Sequence, residues 1–438
     1  MFSYNVKIAF KSLRRNPVLT GLLIGAIALG ICVSTTFIAL RHIFEKDPLR
    51  GKSGVLYNVR LDNWDPQRAW NAEDPKSLPS QITYRDMREL MKSNIPVRQT
   101  ASFRTRFFVH PDPSVGRPYA ENTRMVFSDF FPMFDVKFEH GRPWTKAADA
   151  KPEPVIVIGH DTNQKLFAGA NSVGRSVRLG ERVYKVVGVL APWKPAVLYY
   201  DMTQGGIGQQ VEQIFMPFNF TPVLEVQSFG NSDGWKGFDG DGYSAFLNSE
   251  TVWLQFWAEL DTADKLQSYS DFVNDYVRDQ KKVGRFQRPL HTEVTQMPEL
   301  IKEQSSLPSS VRSLSIVSVL FLVVCSLNLV GLLLGKFLAR VPEVSVRRAL
   351  GASRWQVFWQ HVVECELVGL AGGLIGMALS IAMLALIAKV VPNGEVIRLD
   401  MEMVGVSMFL SLVAGLIAGI YPAWRVCSVA PAMQLKLQ

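Results

Sequence analysis

Residues 169–176 read GANSVGRS, one substitution away from the phosphate-cradling loop G-x-x-x-x-G-K-[ST]. In that loop glycine amides wrap the phosphates and a lysine reaches them; here Arg175 stands in the lysine position. A phosphate loop also follows a buried strand and opens a helix. The residues after this one, VRLGERVYKVVGVL, instead alternate in β fashion around Gly180-Glu181, so the segment is predicted to be a turn between strands with no nucleotide. A second candidate is DGDGYSAFLNSE, which sets Asp239, Asp241 and Glu250 at positions 1, 3 and 12 of a calcium loop. Tyr243 falls at position 5, and Ser244 at position 6, where the turn needs glycine. The motif is broken. The surrounding NSDGWKGFDGDGYSAF (231–246) is expected to be a flexible loop with exposed aromatics that could touch a substrate or partner. The six histidines (His42, His110, His140, His160, His291, His361) show no metal-ligand spacing. No G-x-S-x-G nucleophile elbow occurs. The expectation is that the chain carries no catalytic, cofactor-binding or metal site.

The elements that would carry any function are set by apolar runs. Residues 18–40, 313–335, 367–388 and 403–420 are long, uncharged and apolar, and about 20 such residues cross a bilayer as a helix. The first run leads into Arg41-His42 without a small-residue cleavage site, so it reads as an anchor and not a removed signal. Residues 1–17 carry Lys7, Lys11, Arg14 and Arg15 and no acid, and 336–366 carry Lys336, Arg340, Arg347, Arg348 and Arg354. The loop 389–402 is short and acidic on balance. The positive-inside rule then places 1–17, 336–366 and the tail 421–438 in the cytoplasm, and 41–312 outside. Most of the net charge of +8 over 438 residues resides in these flanks and calls for no nucleic acid partner. Of the four cysteines, Cys32 and Cys325 lie in spans, Cys365 at a span edge and Cys427 in the tail, and none lies in 41–312. The outer domain is thus built without disulfides, and it is large enough to bury a core without them.

Within 41–312, strands are predicted at 55–62, 98–110, 117–127, 251–260 and around 285–295. Helices are predicted at 81–93 and over TADKLQSYSDFVNDYVRDQ, the latter with Leu266, Tyr269, Phe272, Val273 and Tyr276 on one face. Residues 127–248 read as an insertion of short strands and loops. Each span carries a small-xxx-small pair: Gly21/Gly25, Gly331/Gly335, Gly369/Gly373 with Gly372/Gly376, and Gly415/Gly419. Such pairs permit close helix approach within or between subunits. Asn328 is the one strongly polar mid-span residue, and no span carries a buried charge of the kind a proton relay needs. The N-terminal SYNVKIAFKSLRR sets Val6, Phe10 and Leu13 on one face and reads as an interfacial helix.

The segment 341–366, VPEVSVRRALGASRWQVFWQHVVECE, reads as two helices with a break. Gly351 suits a left-handed C-cap, and Ser353 with Gln356 forms a capping box for a helix that runs into the third span. A short basic helix tied to two spans is suited to act as a lever; the plainer reading is a turn that binds lipid headgroups.

These residues carry a family resemblance. VSVRRALGASRWQVFWQHVVE with LAGGLIGMALS, YPAWRVCSVAPAMQLK, FSDFFPMFDVKFEHGRPW, PVIVIGHDTNQKLF and SVGRSVRLGERVYKVVGVL are similar to segments of MacB/FtsX-like (type VII) ABC transporter permeases, over nearly the whole chain. The resemblance implies a membrane α-helical protein of four transmembrane helices with a large α+β extracytoplasmic domain between helices 1 and 2. That domain would comprise Porter-like parts (41–126 and 249–312) around a Sabre-like insertion (127–248). It implies a multi-pass protein of the bacterial inner membrane with both termini cytoplasmic, and a second permease, as a homodimer or paralogous heterodimer. ATP and Mg would be held by a separate ABC ATPase subunit, since no Walker or signature segment is present. A periplasmic adaptor, an outer-membrane channel and membrane lipids are the further implied partners. ATPase closure would drive outer-domain motion (mechanotransmission) and export, through coupling residues Glu343, Arg347, Arg348, Leu350, Gly351 and Ser353. The alternatives are an FtsX-like regulator of a periplasmic partner such as a cell-wall hydrolase, or a lipoprotein-extraction permease.

Overall fold

The computed structural model describes residues 2–45, 49, 51–114, 116–195, 197–201, 203, 210–237, 240–304, 309–390, 394 and 397–428. Asp239 of the calcium-like loop and the tail motif beyond Ser428 lie outside the described residues. The chain divides into a helical unit (Met1–Phe44 and Leu307–Gln438) and an outer unit (Glu45–Ser306).

In chain order the elements begin with α1 (Phe2–Arg15) and α2 (Pro17–Glu45). The outer unit follows as β1 (Leu56–Leu61), α3 (Tyr84–Leu90), β2 (Arg98–His110), β3 (Tyr119–Val126), α4 (Phe130–Met133), β4 (Phe138–Gly141), α5 (Lys146–Ala150) and β5 (Val155–Ile158). It continues with α6 (His160–Phe167), β6 (Ser176–Leu179), β7 (Arg182–Leu190), β8 (Ile214–Pro217), α7 (Thr221–Leu224), α8 (Tyr243–Leu247), β9 (Gln255–Glu259), α9 (Ala263–Lys282), β10 (Thr292–Gln296) and α10 (Met297–Gln304). The helical unit resumes with α11 (Ser309–Leu338), α12 (Val341–Ala349), α13 (Arg354–Val390) and α14 (Met401–Cys427).

The outer unit is built on one mixed ten-stranded sheet, ordered β10-β1-β9-β2-β3-β8-β5-β7-β4, with β6 pairing β2 and β7. Strands from 41–126 and 249–312 form one contiguous half and strands from 127–248 the other. The halves join through the parallel β3–β8 pair and through β2–β6. Alternation along the strands assigns side chains to two cores. Ile156 and Ile158 of β5 enter one apolar cluster and Val155 and Val157 the other; Phe256 and Trp257 of β9 divide the same way. The sheet is therefore covered on both faces. Helix α9 is capped by Thr262, whose hydroxyl accepts from the Lys265 amide at 3.2 Å, and it buries Tyr269, Val273 and Val277.

Two ion networks lock the outer unit. Fully buried Arg124 donates to Glu212 at 2.8 Å, to Ser102 at 2.9 Å and to Asp201, and lies 4.7 Å from the centre of the Tyr200 ring. Burial opposes the Arg124 charge, but the Glu212 and Asp201 carboxylates outweigh it and raise its pKa. Arg285 engages Glu250 through two bonds of 2.6 and 2.9 Å and Asp86 at 2.9 Å.

In the helical unit, glycines decide how closely the spans approach. A Cβ on Gly372 would meet Ile27 at 2.7 Å, one on Gly376 the Ala28 carbonyl at 2.7 Å, and one on Gly419 the Cys365 Cβ at 2.5 Å. One on Gly369 would stand 3.2 Å from Gly415 Cα, and one on Gly373 2.4 Å from Ser411 Oγ. Backbone contact of this kind substitutes for the hydrophobic drive that is missing between helices in lipid. Cross-helix hydroxyl bonds add to it: Ser34 to the Ser318 carbonyl at 2.7 Å and Thr35 to Ser407 at 3.1 Å. Gly21, Gly25, Gly331 and Gly335 behave differently, since a Cβ there meets nothing within 4 Å in this chain.

Candidate coupling site

Helices α12 and α13 are joined by a tight reversal built from Gly351. The Gly351 amide donates to the Arg348 carbonyl at 3.2 Å and the Ala352 amide to the Arg347 carbonyl at 3.1 Å. That pair of bonds is a Schellman motif, and Gly351 holds the positive φ of +101° it requires. Ser353 and Gln356 then cap α13 reciprocally: Ser353 Oγ accepts from the Gln356 amide at 3.2 Å, and Gln356 Oε1 accepts from the Ser353 amide at 3.1 Å. The chain reverses with its terminal backbone groups satisfied, so α12 is attached stiffly to a helix that continues for 37 residues into the third span.

A buried polar cluster fixes the other helices to this joint. Glu364 and Lys336 are 2% and 1% exposed and stand 2.7 Å apart. The Ser12 hydroxyl donates to Glu364 at 2.5 Å. Arg340 donates to Ser12 Oγ and to the Ser12 carbonyl. His361 stands 3.9 Å from Glu364, with its ring 4.3 Å from that of Phe337. Four segments thus meet at one carboxylate: α1 through Ser12, α11 through Lys336, the α11–α12 link through Arg340, and α13 through Glu364 itself. Pairing is what makes such burial tolerable, because an isolated charge there would be strongly unfavourable.

The structure places the residues predicted for coupling as follows. Arg347 donates to Glu343 at 2.9 Å and to Gln360 at 3.3 Å; Arg348 donates to the Cys427 carbonyl at 3.2 Å. Glu343 also lies 3.6 Å from Arg15. Leu350 is 83% exposed, the largest apolar protrusion of the segment, with Val346 one turn before it and also exposed. Sequence reasoning missed Trp355 and Trp359, which are exposed and pack edge to face 5.6 Å apart at the start of α13. Their i, i+4 spacing was the available signal.

Several expectations are corrected. Helices α11 and α13 are longer than the apolar runs 313–335 and 367–388, and they include the buried pair Lys336 and Glu364, which lies just outside those runs. On α1 the expected interfacial helix is not contradicted: Ala9 and Ser12 face the bundle, Phe10 is 60% exposed beneath Arg14, and Val6 lies outside the residues whose side chains are described. GANSVGRS joins helix α6 to strand β6, not strand to strand, and Arg175 lies over the Phe167 ring. The described aromatics of 231–246 are half-buried and pinned: Trp235 donates to the Asn63 carbonyl at 2.8 Å, Tyr243 to that of Val226, and Phe246 packs 5.2 Å from Trp253; Phe238 lies outside the described residues. Glu250 of the calcium-like motif is occupied by Arg285. Sequence spacing does not register one grouping: folding brings His42 to within 3.6 Å of Asp400 and 3.5 Å of Glu402, far apart in sequence.

Comparison with known proteins identifies the family. The family profile described as MacB-like periplasmic core domain matches residues 20–267, and that described as FtsX-like permease C-terminal matches residues 315–431. The macrolide export ATP-binding/permease protein MacB of Chlorobium luteolum is 22% identical over 449 residues, covering 99% of this chain and 60% of that protein. The uncharacterized ABC transporter permease YvrN of Bacillus subtilis is 21% identical over 314 residues, covering 72% of this chain and 69% of its own. The chain matches only 41% of the length of MacB from Bdellovibrio bacteriovorus, at 23% identity over 68% of this chain. Among solved structures, the periplasmic region of MacB from Actinobacillus actinomycetemcomitans shares 12% identity at a TM-score of 0.38, covering 60% of this chain and 98% of that one. With the two profiles together spanning most of its length, the chain belongs to the MacB/FtsX-like, type VII, family of ABC transporter permeases.

Proposed function

We propose that this permease lies in a bacterial inner membrane with both termini and α12 in the cytoplasm and the outer unit in the periplasm. In this reading it works with a partner ATPase that holds ATP and Mg, and with a second permease. ATP-driven closure of the ATPase displaces α12. The stiff α12–α13 joint and the Glu364 cluster pass that displacement to α1, α11 and α13 together. The spans then tilt, and the outer unit moves a substrate taken from the periplasm or the outer leaflet. Export requires no polar path through the spans.

The observation that carries this reading is the Gly351 joint beside the exposed Leu350. A surface that only met lipid would need charge without a defined backbone reversal. A docked lever needs shape, an apolar contact and rigidity, and all three converge here.

The test is co-purification with the ATPase encoded alongside the permease. Leu350 is exposed, so Leu350→Glu should insert and fold normally while setting a charge into an apolar contact. ATPase recovery and transport should both be lost. Gly351→Val, which forces a β-branched residue to positive φ, should do the same by distorting the joint. Stoichiometric ATPase and full transport with Leu350→Glu would place the coupling surface elsewhere.

A further inference from the structure

Between α1, α12 and α13 lies a cavity of about 260 Å³ lined by Lys11, Ser12, Arg15, Arg340, Arg347, His361 and Glu343. Its apolar wall is Ile8, Val344 and Val357. We propose that this cavity binds the phosphate of an anionic phospholipid headgroup.

Three observations point to that ligand. The first is charge. Lys11, Arg15, Arg340 and Arg347 line the cavity against one lining carboxylate, Glu343, which Arg15 and Arg347 share, and Glu364 lies 3.6 Å from Arg340. The lining therefore keeps an excess of positive charge that a further anion would offset. The second is an unsatisfied group. His361 lines the cavity, is 3% exposed, and neither ring nitrogen has a hydrogen-bond partner within the chain. A buried polar group without a partner is costly, and an oxyanion would supply the acceptor. The third is position. The cavity is lined by α1, which precedes the span helix α2, and by residues 340–347, which follow α11; in the topology proposed above, on which this inference rests, that is the cytoplasmic end of the spans, where headgroup phosphates lie. An apolar wall beside a cationic floor matches a headgroup continued by its glycerol and acyl carbons better than an acidic loop of a protein partner. The excess of positive charge also selects an anionic headgroup over a zwitterionic one, whose own cation would be repelled. A lipid seated here would bridge α1 to α12 and so take part in the joint between the N-terminal helix and the lever.

The experiment uses the full-length protein, delipidated in a neutral detergent. Binding of phosphatidylglycerol, phosphatidylcholine and inorganic phosphate is measured by native mass spectrometry and by thermal stabilisation. The expected result is one retained phosphatidylglycerol per chain with a raised melting temperature. Phosphatidylcholine should bind at least tenfold more weakly, and millimolar inorganic phosphate should give no comparable stabilisation. Lys11→Gln with Arg15→Gln, both at exposed positions of α1, should weaken phosphatidylglycerol by at least about tenfold, since two charge-assisted contacts are lost. His361→Phe should weaken it too, while Arg14→Gln, which does not line the cavity, should not. Equal affinity for the two lipids, unchanged binding in the Lys11/Arg15 variant, or stabilisation by inorganic phosphate equal to that by lipid would each overturn the proposal. So would loss of the phosphatidylglycerol adduct on adding the ATPase, since the cavity would then be a protein-docking site.

Discussion

Replacing Glu364 by leucine tests whether the buried cluster holds α1, α11 and α13 together. The substitution keeps the side-chain volume and removes one charge. Lys336, 1% exposed, loses the carboxylate 2.7 Å away, and the Ser12 hydroxyl loses its acceptor. Removing one partner of a buried pair costs about 3–5 kcal/mol, because the remaining charge is left in a low-dielectric site. The orphaned hydroxyl adds about 1 kcal/mol. Lys336 lies near the end of α11 and can partly extend toward the headgroups, which lowers the figure. A net loss of about 4 kcal/mol is therefore expected. Lys336→Met should cost less, about 2 kcal/mol, since Glu364 keeps Ser12 and has Arg340 at 3.6 Å. The double variant removes both charges and should recover most of the loss, giving a coupling of at least about 2 kcal/mol.

The four cysteines supply the assay. Cys32, Cys365 and Cys427 are buried, Cys325 is half-buried, and all are reduced and within the helical unit. A thiol-reactive dye therefore reports melting of that unit and not of the outer one. At about 2–4 °C per kcal/mol for a body of this size, Glu364→Leu should lower the midpoint by about 10 °C. If the two single losses simply add in the double variant, the ion pair does not hold the cluster and the lever is fixed by packing alone.

Three further outcomes follow from the same coordinates. Gly376→Val should destabilise the helical unit by 3 kcal/mol or more (roughly, as a strained overpacking) in the same dye assay, since its side chain would meet the Ala28 carbonyl; Gly331→Val, whose surroundings are open, should leave the midpoint unchanged and lower the dimer fraction on size-exclusion chromatography if α11 faces a second permease. Arg124→Met should cost the outer unit about 3–5 kcal/mol in tryptophan-monitored denaturation, because Asp201 and Glu212 are left buried without a cation; a loss under 1 kcal/mol (about one exposed pair) would mean the network relaxes freely. Cysteines at the exposed positions Ser232 and Ser353, in a cysteine-free background, should separate by topology: an impermeant maleimide on intact spheroplasts should label 232 and not 353, and the reverse would invert the orientation.

What the sequence disclosed and what it withheld divide along a physical line. Features set by neighbours within about four residues were readable. The apolar runs became span helices, Ser353 and Gln356 capped α13, Gly351 took positive φ, and Tyr269 and Val273 faced inward from α9. Features set by chain closure were not. Nothing around Ser12 announces Glu364, which lies 352 residues away. Hydropathy leaves Lys336 and Glu364 outside the apolar runs, and a window average cannot register that the two charges pair inside a bundle. Glycine pairs looked alike in all four spans, yet those of α13 and α14 touch backbone or buried side chains while those of α2 and α11 at Gly21, Gly25, Gly331 and Gly335 touch nothing. That asymmetry has a consequence for mechanism. If the tightly packed α13–α14 pair moves as one body with α12, the open glycine faces are where a neighbouring copy can slide or separate without breaking contacts inside the chain. The lever would then act on a seam between protomers and leave each protomer's own packing intact through the cycle.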